Sequence, residues 1–310
     1  MTTVSDRRVA SVVGALVADA GAQPLHWLYN EEKLKGIIGD KEEIEFWEPS
    51  HNPFYRIPAG SHTCYGDQAY VILKSLVANK GVDCEALKKS TYEWFGPQSA
   101  YEDPENARYT VDVKRTLPIS RPWRHASIKH FLANMEQGKE DTGSEADDQI
   151  DSVLRMVPVC ALYAGRPEML DRVEDVLRVT QNSDMAVSIA LAAARILEQF
   201  ILHGQTKDVL ERVLADLSNN QRQNPQELDR AVAGYLRQSA LHGALTATDF
   251  AQGVRATMRV GGCNASRGGF IGACTAAQFG LEGIPESWRQ RTNTYPEILT
   301  LARQLCDIFP

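Results

Sequence analysis

Apolar residues recur along most of this 310-residue chain at intervals of three and four, the period of an α-helix. Val9, Val12, Val13, Leu16, Val17 and Ala20 hold one face of a first helix. Ser11, Gly14, Ala18 and Gly21 leave its opposite face small, and a helix with one bulky and one bare face is buried on both. The same period predicts helices over 30–36, 83–95, 123–135, 145–163, 167–179, 210–217, 227–241, 247–258 and 295–309. Residues 186–201 are apolar nearly all round, the mark of a central helix. One more helix starts at Asp67, with Ala69, Leu73, Leu76 and Val77 on its apolar face. Residues 46–60 and 96–121 carry prolines and read as loops. No two-residue alternation suggests a strand, and no repeat or low-complexity linker divides the chain. The expectation is an all-α fold, one compact multi-helix domain over residues 1–310.

The stretch from Val260 to Gly280, V-G-G-C-N-A-S-R-G-G-F-I-G-A-C-T-A-A-Q-F-G, departs from ordinary helix composition. Gly268, Gly272, Ala276 and Gly280 recur every four residues, so one helix face has almost no side chain. Glycine costs roughly 1 kcal/mol against alanine inside a helix, so the pattern implies close approach of another backbone. Gly261 and Gly262 allow a tight turn before it. A helix start there offers free N–H groups and a positive dipole end, suited to phosphate. Cys263, Asn264 and Ser266 fall at that mouth. An ordinary tight helix start inside a core is the alternative.

Hydrophobic residues make up 43% of the chain, enough for a large core. The net charge of −7 argues against general binding to nucleic acid or an anionic membrane. Six cysteines form no C-x-x-C pair, which suits a reducing compartment. Arg7-Arg8 ahead of an apolar run resembles a signal peptide, but Asp19 interrupts the run. No run is expected to reach membrane-spanning length, and a cytoplasmic protein is the expectation.

Two carboxylates interrupt apolar helix faces. Asp19 is either an anchor for a neighbouring loop or a ligand-binding group, because a buried carboxylate needs a partner. Asp67 is either the N-cap of its helix or a site residue. The acidic run E-A-D-D-Q-I-D from Glu145 reads as solvated charge in the first turn of a helix, where it complements the dipole.

Four segments together resemble the ADP-ribosylglycohydrolase family. G-A-L-V-A-D-A-G-A-Q-P, from Gly14 to Pro24, is similar to the family's first-helix motif, with Ala18 and Ala22 for two glycines. Y-G-D-Q at Tyr65–Gln68 stands where the family has Tyr-Thr-Asp-Asp. L-R-M-V-P-V-C-A-L-Y from Leu154 resembles its Arg-x-x-Pro segment, without the usual preceding Gly-Asn-Gly. Thr180-Gln181 stands where Thr-His is common. G-G-C-N-A-S-R, followed by L-E-G-I-P-E-S-W, resembles Gly-Gly-Asp-Thr-Asp-Ser/Thr-Asn and the family's closing segment. The chain also resembles the branch of J-type crystallins and selenoprotein J.

The resemblance implies a nucleotide-ribose pocket for an ADP-ribose-like small molecule. It also implies a dinuclear Mg²⁺ centre, most of whose ligands are replaced here. His26, Gly66, Gln68, Cys263 and Ala265 stand at family oxygen-ligand positions, leaving Asp67 and Ser266 as the only residues to hold a metal, so no cofactor is expected. Asp67, Cys263 and His26 are the candidate catalytic residues. Asp19, Gln68, Gly261, Gly262, Asn264 and Ser266 are the candidate substrate contacts. A cysteine, a histidine and a carboxylate in one cleft would make an activated thiol, with Cys263 ionised more easily by a helix dipole. Four functions follow from these residues. They are hydrolysis of a ribosyl linkage without the usual metal pair, binding without chemistry, a crystallin-like structural role, and thiol redox chemistry at Cys263.

Overall fold

Two helices meet at their bare faces, and the other described core helices pack around that contact. The computed structural model describes residues 2–102, 117–206, 208–219, 221, 225–238 and 242–310. The first helix, α1 (Val4–Ala22), follows the predicted spacing and is buried over nearly all of its length. The helices after it are α2 (Glu31–Ile38), α3 (Cys64–Asn79), α4 (Cys84–Phe95), α5 (Ala126–Glu136), α6 (Ser152–Arg155), α7 (Val157–Tyr163), α8 (Met169–Arg178) and α9 (Asp184–His203). Then come α10 (Val209–Leu217), α11 (Asp229–Gln238), α12 (His242–Thr246), α13 (Phe250–Arg259), α14 (Asn264–Phe279), α15 (Glu286–Arg291) and α16 (Tyr295–Ile308). Among the described residues there is no strand, only isolated bridges such as Leu28 with Gly262. The all-α expectation holds.

α1 packs on α14 more extensively than any other helix pair. A Cβ on Gly14 would lie 2.5 Å from the Gly272 carbonyl oxygen, and one on Gly272 would lie 2.6 Å from both the Gly14 oxygen and the Ala18 Cβ. The two backbones are therefore in contact, and the small-residue stripe is what lets them meet. Gly268 has ordinary spacing to its neighbours, and Gly280 ends the helix with φ +78° rather than extending the stripe. One buried apolar cluster runs from Ala10 on α1 to Leu305 on α16.

α9 is the central helix that its all-round apolar composition predicts, capped by Ser183 accepting from the Ala186 N–H. Its 20 residues are long and apolar enough to cross a membrane by length and composition, contrary to the expectation that no run is. Most of it is buried within the protein, so the composition is that of a core helix.

The predicted helix over 145–163 differs most. Residues 145–151 form no helix; α6 starts only at Ser152, and α7 follows after Met156. The acidic run is thus a loop that carries Asp147 and Asp151 inward, to 5% and 0% exposure. Gln181 holds it there by donating Nε2 to the Asp147 and Gln149 carbonyls, at 2.6 and 3.0 Å. A side-chain amide from a distant segment outweighs the local charge pattern, which is why the solvated-cap reading fails.

Candidate functional site

The start of α3 is set by Thr63, not by Asp67. Thr63 caps the helix by accepting from the Tyr65 and Gly66 N–H groups. It is itself held by Asp19, whose oxygens accept from the Thr63 N–H at 2.9 Å and the Thr63 hydroxyl at 2.6 Å. His62 Nδ1 lies 3.5 Å from the same carboxylate. Asp19 is fully buried, so it anchors the loop before α3 and does not face a ligand, contrary to its expected substrate role. Gly66 makes this possible: a Cβ there would lie 2.1 Å from Asp19 Oδ2.

Asp67 falls on the next face of α3. Tyr101 donates its hydroxyl to Asp67 Oδ2 at 2.7 Å. Burial pushes the Asp67 carboxyl up to about 6, against the lowering effects of His62 and Tyr101. The carboxylate lines a pocket of about 380 Å³ with His62, Ser120, Arg121, Asn293 and Thr294, within the usual range for small-molecule sites. Asn293 and Thr294 precede α16, and the Ile57–His62 segment precedes α3. The pocket therefore assembles residues far apart in sequence.

The other candidates lie apart from it. Gly261 and Gly262 adopt φ of +71° and +65°. The turn they make brings the chain back onto Trp27 and Leu28. Gly262 donates its N–H to the Leu28 carbonyl and accepts from the Trp27 N–H, both at 2.8 Å, while Gly261 donates to Met258. Both glycine N–H groups are therefore engaged, and the expected phosphate cradle at this turn is not formed.

The turn delivers Cys263 to His26. Cys263 Sγ lies 3.6 Å from His26 Nε2 and 3.0 Å from Ser266 Oγ. His26 Nδ1 pairs with the Tyr55 hydroxyl at 3.0 Å, and its ring stacks on Trp27 with the edge of Tyr65 nearby. The cysteine and histidine thus meet as expected. Their charge state does not follow the expectation. Burial raises the Cys263 thiol above its ordinary value, despite its place at the start of α14. Burial likewise holds His26 well below the ordinary imidazole range. Burial thus favours the neutral thiol and the neutral imidazole.

The amides turn inward. Asn264 donates Nδ2 to the Leu25 carbonyl at 3.1 Å, and Gln68 donates Nε2 to the Cys64 carbonyl at 3.1 Å. The single pocket expected for His26, Asp67, Gln68, Cys263 and Asn264 is therefore an open acid pocket at Asp67 and a seam in which a buried His26 meets a half-buried Cys263. Sequence reading missed His62, Tyr55 and Tyr101. Their aromatic and proline-rich surroundings were the only signal, and that signal indicated no more than a loop.

The sequence model of the ADP-ribosylglycohydrolase family matches residues 1–310. The chain belongs to the ADP-ribosylglycohydrolase family. Crystallin J1A of Tripedalia cystophora is 36% identical over 318 residues, covering 97% of this chain and 96% of that one. Crystallin J1B of the same animal is 36% identical over 319 residues, covering 97% of each. An ADP-ribosylglycohydrolase-related protein complex matches in structure, with a TM-score of 0.70 at 20% identity and 99% of both chains covered. That last likeness concerns the fold.

The family's dinuclear Mg²⁺ centre does not fit the donors present at those positions. Hard divalent ions need several oxygen ligands. Gly66 and Ala265 offer no side-chain donor, and His26 is held between Tyr55 and Cys263. Asp67 pairs with Tyr101, while Ser266 pairs with Cys263. Among the described residues no hydrogen bond or ion pair joins Asp67 to Ser266, the two expected metal ligands.

Proposed function

We propose that this family member binds a ribosyl nucleotide in the Asp67 pocket and hydrolyses its ribosyl linkage through Asp67, without the dinuclear magnesium centre. The observation that carries the reading is the placement of one carboxylate, poised near pH 6, in a small-molecule-sized pocket whose lining also includes Arg121. Above pH 6 the carboxylate predominates and stabilises positive charge developing at the ribosyl carbon as water replaces the leaving group. Arg121 supplies a cation for a phosphate. Ser120, Asn293 and Thr294 supply partners for ribose hydroxyls.

Calorimetry with ADP-ribose in the presence of chelator tests the binding. Turnover of an ADP-ribosylated peptide by wild type and Asp67→Asn tests the chemistry. The reading expects metal-independent binding and turnover that rises with pH through about 6 and is lost in the variant. Unchanged turnover in Asp67→Asn refutes the catalytic assignment.

A second reading, a non-catalytic binding or crystallin-like structural protein, is favoured by the neutral, closely packed His26–Cys263 seam and by the likeness to the J1 crystallins. Binding without turnover supports a binding module, and absence of binding supports the structural role. Thiol redox chemistry requires a thiolate, which burial of Cys263 opposes.

A further inference from the structure

The inward loop before α6 builds a second polar cluster, outside both the Asp67 pocket and the positions of the family's metal ligands. His125, Asp147 and Asp151 each place one ligand atom within 4.8 Å of the others, and all three residues are buried, at 2%, 5% and 0% exposure. Four of their polar atoms have no hydrogen-bond partner: His125 Nε2, Asp147 Oδ2 and both oxygens of Asp151. Buried carboxylate oxygens left without donors are costly. The Arg155 guanidinium stands 3.6 Å from Asp151 Oδ2 and donates instead to Thr180 and Gln181. One guanidinium does not neutralise two carboxylates, so the second charge falls to a protonated His125 or to a bound cation.

From this cluster we infer a mononuclear site for a borderline divalent transition cation, of which Zn²⁺ is the representative, held by His125, Asp147 and Asp151. One imidazole with two carboxylates suits Zn²⁺ better than the hard ions, which favour all-oxygen shells. Donors about 2.1 Å from a metal lie about 3.4 to 4.2 Å apart, from tetrahedral to trans-octahedral placement. A set already within 4.8 Å closes by small side-chain rotations.

The supporting contacts have the form that metal sites use. His125 Nδ1 pairs with Ser127 Oγ at 2.9 Å and lies 3.5 Å from Asp147 Oδ2. An Nδ1–H held there leaves the lone pair on Nε2, the usual outer-shell device. Asp147 Oδ1 accepts from the Gln149 N–H, which leaves Oδ2 for the cation. A surface hollow of about 550 Å³ lies beside the loop, although none of the three ligands lines it. Glu140, Asp141 and Glu145 line it against Lys139, and it reaches Ala146, the residue before Asp147.

The test is metal content and stability of the full chain without nucleotide, so its outcome is independent of the Asp67 reading. Protein stripped with chelator, loaded with Zn²⁺ and gel-filtered should retain one equivalent and unfold at a higher temperature. His125→Gln and Asp151→Asn should bind Zn²⁺ at least about 100-fold more weakly, beyond the loss typical of outer-shell changes. Cys263→Ser should bind as wild type. Co²⁺ loading of the wild type gives a readout that needs no variant: ligand-field bands without a thiolate-to-cobalt charge-transfer band. No retained Zn²⁺, unchanged affinity in both ligand variants, or a thiolate charge-transfer band would overturn the assignment.

Discussion

Replacing Asp67 with asparagine should stabilise the protein while abolishing its proposed chemistry, and the gain should grow with pH. The folded-state carboxyl is pushed up from 3.8 to about 6. A raised carboxyl means the folded state binds the proton more tightly than the unfolded chain. Stability from this group is therefore fully present below about pH 4 and declines as pH rises toward 6. Above pH 7 the ionised carboxylate costs about 3 kcal/mol at most, since each tenfold difference in proton affinity between the folded and unfolded states is worth about 1.4 kcal/mol. Asparagine keeps an acceptor for the Tyr101 hydroxyl and removes the titration. The expected gain is about 1 kcal/mol at pH 4.5 and about 3 kcal/mol at pH 8. A chain of this length has an unfolding entropy of about 0.65 kcal/mol/K. The gain then corresponds to a rise in Tm of about 1 to 2 °C at pH 4.5 and about 4 to 5 °C at pH 8. Differential scanning calorimetry of both proteins across this range measures it directly. A Tm difference that is flat with pH, or that favours the wild type at pH 8, would refute the idea that Asp67 is an ionised group held against desolvation.

Three other outcomes follow from particular contacts. Gly66→Ala should destabilise the fold by about 3 kcal/mol, because its Cβ displaces the Asp19 carboxylate from Thr63. A double-mutant cycle with Asp19→Asn should show strong non-additivity, and additive effects would mean the two residues are not coupled. Gly272→Ala should cost about 1 to 2 kcal/mol in urea unfolding, since overpacking against Ala18 and the Gly14 carbonyl exceeds the helix-propensity gain of about 1 kcal/mol. Cys263 should alkylate slowly at pH 7 and accelerate only at strongly alkaline pH, as followed by peptide mass spectrometry. Rapid modification at neutral pH would restore the activated-thiol reading.

The chain's periodicity alone determined the helical class, the first helix, the buried α9 and the bare faces of α1 and α14. These are local properties: a 3.6-residue period and a run of small side chains leave few alternatives. Four motifs likewise sufficed for the family, and showed that most Mg²⁺ ligand positions hold other residues. Tertiary structure decided the chemistry of what replaced them. Whether Asp19 anchors or binds depends on Thr63, 44 residues away, and on the absence of a side chain at Gly66. Whether Cys263 ionises depends on its desolvation, which no spacing encodes. The acidic run before α6 has the composition of a solvated helix start, yet Gln181 draws it inward and brings Asp147 and Asp151 against His125. Local pattern sets which segments coil, but the dielectric around a side chain and its partners are set by residues distant in sequence. That is why the fold was legible from the chain and the state of its ionisable groups was not.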